Sequence, residues 1–208
     1  TKQKVEELNL PLMSSLNKAR MQTAFTISIE ARKGITTGIS AFDRAKTIKT
    51  AISKNSRKKD IVSPGHVFPL VARSGGVLER AGHTEASVDI SKLSKLNPSA
   101  VICEVMNQDG RMARLNDLKI FAKKHKLKIA SIEDIISFRL KNEKLIKSIK
   151  VKNITLKKQK YDFLTYKNLV DKSECFVVKK GKFNKNKSIR VRVLSQLMKN
   201  NSFSIKNK

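Results

Sequence analysis

Arg80-Ala81-Gly82-His83-Thr84-Glu85 and the upstream Pro64-Gly65-His66 gather the scarce chemistry of this chain. Two of its three histidines, an arginine, a hydroxyl and a carboxylate fall within residues 64–85. Glycines among them allow close approach of backbone to a ligand. His83 sits at the start of an expected helix. Helix N-terminal amides beside Arg80 would form an anion seat suited to phosphate, and neutral imidazole is a common metal ligand. His66 reads as either a loop residue or a proton-transfer group. Glu104 lies within an apolar run, either facing solvent at a strand end or buried as an acid/base whose pKa burial raises. The Thr36-Thr37-Gly38 turn adds two hydroxyls, and such turns are commonly structural. Taken together, these groups suit work on a phosphorylated sugar. Proton abstraction next to a carbonyl needs a base, an acid and something to hold the enediolate, which a divalent metal can do.

The elements that must position these groups alternate up to about residue 140. Residues 22–31 alternate apolar and polar as a half-buried strand does. Gly34 to Gly38 is a turn. Ser40 and Asp43 resemble a capping pair, after which Ala45, Ile48 and Ile52 share a helical face. Residues 84–96 read as a helix and 101–106 as a buried strand. An amphipathic helix over 116–126 turns Leu118, Phe121 and Ala122 inward, and 127–130 is a strand. Ser131 and Asp134 open a further helix. Beyond this the texture changes to short strands at 148–156, 160–168, 174–179 and 188–195. The boundary falls near 141–147, giving a domain at 1–140 and a segment at 141–208.

Composition narrows the field. Hydrophobic residues are 39% of the 208, enough for a core, and no apolar run approaches membrane-spanning length. No signal-peptide pattern opens the chain, so a soluble cytoplasmic protein is expected. Cys103 and Cys175 lie far apart without metal-ligand spacing, which makes two reduced thiols the expectation. The net charge is +28, and residues 141–208 hold 20 Lys and Arg against 4 Asp and Glu. That charge suits either a polyanion partner such as RNA or a lysine-biased composition on solvated faces. Aromatic residues are 5%, too few to interleave with the lysines as a stacking platform for bases. Nucleic acid is therefore the lesser expectation.

Four stretches carry a more specific signal: ARKGITTGISAFDRAKT (31–47), SPGHVFPLVARSGGVLERAGHTEASVD (63–89), AVICEVMNQDGRMAR (100–114) and IEDIISFR (132–139). From about residue 6 to 140 the chain resembles 3,4-dihydroxy-2-butanone 4-phosphate synthase of riboflavin biosynthesis. The resemblance implies conversion of D-ribulose 5-phosphate into formate and L-3,4-dihydroxy-2-butanone 4-phosphate with Mg2+ or Mn2+. It implies an α+β fold, a mixed sheet layered with helices, and a homodimer with active sites at the subunit interface. By motif, Arg80, Ala81, Gly82, His83 and Thr84 would bind substrate, with Thr37 and Glu104 at the same site. His83 would be a metal ligand, and His66 and Glu104 the catalytic pair.

Two departures qualify the resemblance. The family's acidic R-E-N-E-G-D loop, with its metal-binding glutamate, would lie upstream of Lys4. The chain opens at Thr1 without it, so it reads as a piece whose upstream part is missing and whose activity would be impaired. The tail resembles the opening of GTP cyclohydrolase II at Asp162-Phe163-Leu164-Thr165-Tyr166 and from Ile189 to Ser195. It has no three-cysteine zinc cluster, and Gln196 stands where an acidic residue would be expected. A short or degenerate partial segment without a zinc site, and without cyclohydrolase activity, is the expectation. The alternative is a non-catalytic basic module that binds RNA or another polyanion.

Overall fold

The computed structural model describes residues 1–18, 22–156, 158–184, 186 and 188–193, and divides into two compact units. The first comprises Thr1–Lys147 and Tyr166–Cys175; the second comprises Ser148–Thr165 and the described residues of 176–193. Helix α1 (Lys2–Glu7) is capped by Thr1, whose hydroxyl accepts from Lys4 N at 3.4 Å. The chain leaves it through Leu8 and Leu10, which are buried with Ile29, Ala51 and Ile61 in one core cluster. Strand β1 (Ile29–Ala31) pairs antiparallel with β2 (Ile61–Val67). Helix α2 (Ala41–Ile52) packs on both, and the Thr47 hydroxyl accepts from Ala31 N at 3.0 Å, satisfying a strand amide that would otherwise be buried unpaired.

A second core cluster joins Val77, Ala86 of helix α3 (His83–Leu93) and Ile135 of helix α5 (Ile132–Asn142). The expected capping box opens α5: Ser131 Oγ accepts from Asp134 N at 3.0 Å, and Asp134 Oδ2 accepts from Ser131 N at 3.1 Å. Between them, α4 (Leu115–His125) starts where Asp117 accepts from Arg114 N at 2.8 Å. Ala122 of α4 is buried and Leu118 half-buried, but Phe121 is exposed and lies against the His125 ring. Strands β3 (Ile146–Leu156), β4 (Gln159–Asn168) and β5 (Glu174–Lys179) form a three-stranded sheet in that order. The Phe163 and Phe176 rings stack on it at 5.6 Å.

The α+β class holds, and five local expectations need correction. The alternation over 22–31 yields a strand only at Ile29–Ala31; before it stand the isolated bridges Leu12–Thr26 and Phe25–Leu70. The buried stripe of α2 is Asp43, Thr47 and Ala51, while Ala45 is exposed and Ile48 and Ile52 are half-buried. Asp43 and Thr47 turn inward because backbone amides need their oxygens, a demand that apolar periodicity does not register. Residues 101–105 and 127–130 are not strands, since neither has a ladder partner among the described residues, and Val101, Ile102, Leu127 and Ile129 stay exposed. Residues 188–193 form no strand, and 194–195 lie outside the described residues. No helix among the described residues is long and apolar enough to cross a membrane.

Candidate active site

The hydroxyl turn is built around Asp43. Its carboxylate accepts from Thr36 N at 3.1 Å, Thr36 Oγ1 at 2.7 Å and Gly38 N at 3.0 Å. Ser40 Oγ accepts from Asp43 N at 3.1 Å, the expected cap. The Thr36 hydroxyl, followed by the backbone amides, holds the Asp43 carboxyl below the usual aspartate range. Thr36 is thereby committed to structure, and Thr37 beside it is exposed. Gly38 has φ +85, the left-handed region that glycine adopts without strain, and a Cβ there would overlap the Glu30 carboxylate.

Glu30 connects this turn to His66. The β1–β2 register runs Ala31 to Ile61 and Glu30 to Val62, then jumps from Ile29 to Val67. Residues 63–66 leave the ladder as a bulge, a device that re-aims side chains. Ser63 Oγ donates to Ser28 O at 2.6 Å and Gly65 N to Ser28 Oγ at 3.1 Å, tying the bulge down. His66 Nδ1 then meets Glu30 Oε1 in a short contact. A Cβ on Gly65 would overlap the Ile29 backbone. Two motifs that stand thirty residues apart in sequence thus converge on a carboxylate that neither contains.

The RAGHTE segment is organised by its last residue. Glu85 is 1% exposed. It accepts from Arg80 Nη1 at 2.5 Å and from Arg73 N at 3.0 Å. Arg80 also donates to Thr23 Oγ1 at 3.3 Å. Gly82 is the N-cap of α3 without a side-chain hydrogen bond, and a Cβ on it would overlap the Arg80 guanidinium. Thr84 is buried, whereas Ala81 and His83 are exposed at the start of the helix. The arginine expected at the anion seat therefore already faces a carboxylate of its own segment. Further along α3, Asp89 Oδ2 accepts from Val77 N at 2.8 Å and from Arg139 Nη1 at 2.7 Å. Arg139 also grips Glu143 through two nitrogens at 2.7 and 2.8 Å. This contact holds the Glu143 carboxyl below its usual range and raises Arg139.

Glu104 does not occupy the buried strand expected for it. It is exposed, and no side-chain hydrogen bond or ion pair reaches it among the described residues. The ordering nearby comes from a turn, with Ala113 N donating to Val105 O at 2.9 Å and a bridge between Met106 and Met112. No hydrogen bond or ion pair among the described residues joins His66, His83 and Glu104. Nor does any group of three His, Cys, Asp or Glu stand close enough to hold a metal ion among those residues. Mg2+ requires several oxygen ligands, so His83 by itself does not make a fitting site. Cys103 and Cys175 are free and exposed.

A model of the 3,4-dihydroxy-2-butanone 4-phosphate synthase family matches residues 1–138. The chain belongs to this family. Its relatives include the Photobacterium phosphoreum 3,4-dihydroxy-2-butanone 4-phosphate synthase, 45% identical over 192 residues that cover 92% of this chain and 53% of that protein. Among solved structures, a two-domain synthase from A. baumannii superposes with a TM-score of 0.77 at 42% identity, covering 86% of this chain and 53% of that one. A synthase in complex with two magnesium ions superposes with a TM-score of 0.61 at 34% identity, covering 67% of this chain and 70% of that one. The chain spans about half or less of the first curated relatives it matches. Apart from Arg139, the synthase motifs named from sequence thus lie inside the matched region. Motif reading by itself missed Glu30, and it named Asp43 and Glu85 without their roles as buried acceptors that hold the turn and the RAGHTE segment.

Proposed function

We propose that the protein to which this chain belongs is a 3,4-dihydroxy-2-butanone 4-phosphate synthase, converting D-ribulose 5-phosphate to L-3,4-dihydroxy-2-butanone 4-phosphate and formate. The family match over residues 1–138 carries the reading. His66 moves protons next to the substrate carbonyl, and Glu104, carried over from the family motif, is its partner. Arg80 through Thr84, with Thr37, hold the phosphorylated substrate. A cleft of about 740 Å3, lined by Arg32, Lys33, Lys46, Lys59 and Asp60, contains none of these site residues, and its net positive charge would serve only to draw a dianionic substrate toward the protein. His83 serves as one donor to Mg2+ or Mn2+, whose other ligands the described residues do not supply; when bound, the ion would stabilise an enediolate.

The same reading covers assembly and the tail. A homodimer belongs to the same family reading, and exposed apolar side chains such as Ile39 and Phe42 are surface that a partner subunit would cover. The enzyme works in the cytoplasm, residues 1–140 form its synthase domain, and 141–208 form a cyclohydrolase-like segment without that activity. An ordered family match, which generic positive charge does not require, favours the synthase over an RNA-binding module. The test is formate release from D-ribulose 5-phosphate and Mg2+ by the full-length protein, with the 208-residue chain beside it. Formate and the four-carbon phosphate in equal amounts support the reading, and none from the full-length protein sinks it.

A further inference from the structure

We propose that Glu30 is a positioning residue that holds the His66 imidazole with its proton on Nδ1 and so presents Nε2 as the proton-accepting atom. Three independent features place these two groups together. The ladder slips between Ile29 and Glu30, and residues 63–66 fill the slip. Ser28 ties that bulge down through its own carbonyl and hydroxyl. Gly38 and Gly65 leave bare the space that a Cβ would take from the Glu30 side chain, one from the turn and one from the bulge.

The burial of the pair has a direction. The Glu30 side chain is 14% exposed and that of His66 45%. The carboxylate lies inside and the ring outside it. An ionised carboxylate only accepts hydrogen bonds, so the ring nitrogen against it, Nδ1, is the one that carries the proton. In the neutral ring the lone pair then belongs to Nε2, on the far side from Glu30. Which nitrogen is protonated is set by the bond the other makes, and an unheld histidine favours the opposite tautomer. A base with its lone pair aimed outward is ready to accept a substrate proton without first reorienting. The catalytic consequence rests on His66 being a proton-transfer group of the synthase reaction; the tautomer does not.

The test uses 15N NMR of the 208-residue protein in alkaline buffer, with the His66 signals assigned by their loss in His66→Ala. The expected result is a neutral ring protonated at Nδ1. A ring protonated at Nε2 overturns the proposal, whether or not any variant folds. Glu30→Ala should return His66 to the unheld tautomer, and an unchanged spectrum overturns the proposal. In the full-length enzyme, Glu30→Ala should lower kcat about 10²-fold, within the range of a lost acid–base contribution, with KM little changed. Added to His66→Ala, it should cause no further loss, since Glu30 acts through that ring. An additive loss overturns the positioning role. Absence of synthase activity in the unmutated full-length protein would refute the proposed function instead, and would leave the tautomer result standing.

Discussion

Replacing Glu85 by alanine removes the acceptor that organises the RAGHTE segment. The carboxylate accepts two hydrogen bonds, from the Arg80 guanidinium and from Arg73 N. A hydrogen bond to a charged group contributes about 1.5–3 kcal/mol, so losing both costs about 3–6 kcal/mol if neither donor finds a substitute. Arg80 keeps its bond to Thr23, and its side chain is 21% exposed, so water recovers part of its solvation. The lower end, about 3 kcal/mol, is the expected loss. A chain of this length melts about 2–4 °C lower per kcal/mol, which puts the fall in Tm at about 6–12 °C. Glu85→Gln keeps the volume and one acceptor oxygen, and should lie about midway. Thermal melts followed by circular dichroism decide the matter. A Glu85→Ala protein melting within about 2 °C of the parent, under 1 kcal/mol, would refute the structural role of this carboxylate. It would then count as a free group of the site instead.

Asp89→Ala orphans Val77 N and one face of Arg139, so chemical denaturation should show a loss of about 3 kcal/mol; Glu143→Ala, whose carboxylate is a third exposed, should cost about 1 kcal/mol or less. Stability should fall in acid: hydrogen bonds depress the Asp43 and Glu143 carboxyls in the fold. Their contribution is present above the unfolded carboxylate values, about pH 4, and is lost as pH falls through the lower folded values. Asp43→Asn should therefore flatten the acid limb of a Tm-against-pH curve, and an unchanged limb would contradict the role given to the Thr36 contact. Gly38→Ala should push the Glu30 carboxylate off its place and shift the His66 NMR signals; signals that do not move would show that the turn does not confine Glu30. His66→Ala in the full-length synthase should lower kcat by about 10²–10⁴-fold in a formate-release assay, and wild-type turnover would remove it from the chemistry.

Much of this protein could be read from local pattern. The Ser131–Asp134 box, the Ser40 cap on Asp43, helices α3 to α5 and strands β3 to β5 all follow from signals spanning a few residues. Local hydrogen bonds and side-chain periodicity act at that range, so a linear reading registers them. The ordered motifs likewise indicated the synthase family, because each retains its residue types and spacing regardless of what packs beside it.

Tertiary structure alone decided the rest. Glu30 meets His66 across thirty-six positions through a slipped register, and nothing in either segment announces the other. Asp43 and Thr47 turn inward against the apolar pattern because amides outside the helix, in the preceding turn and in β1, need acceptors. Glu85 looked like one more polar residue of a ligand loop, yet it is among the most buried side chains described. Glu104 sits in a run apolar enough to be a buried strand, but burial requires a neighbouring strand, and none pairs with it among the described residues. Sequence determines which groups are available and which short elements form. Whether a carboxylate is sealed, paired or left in water depends on what other parts of the chain bring to it, and that is a non-local property of the fold.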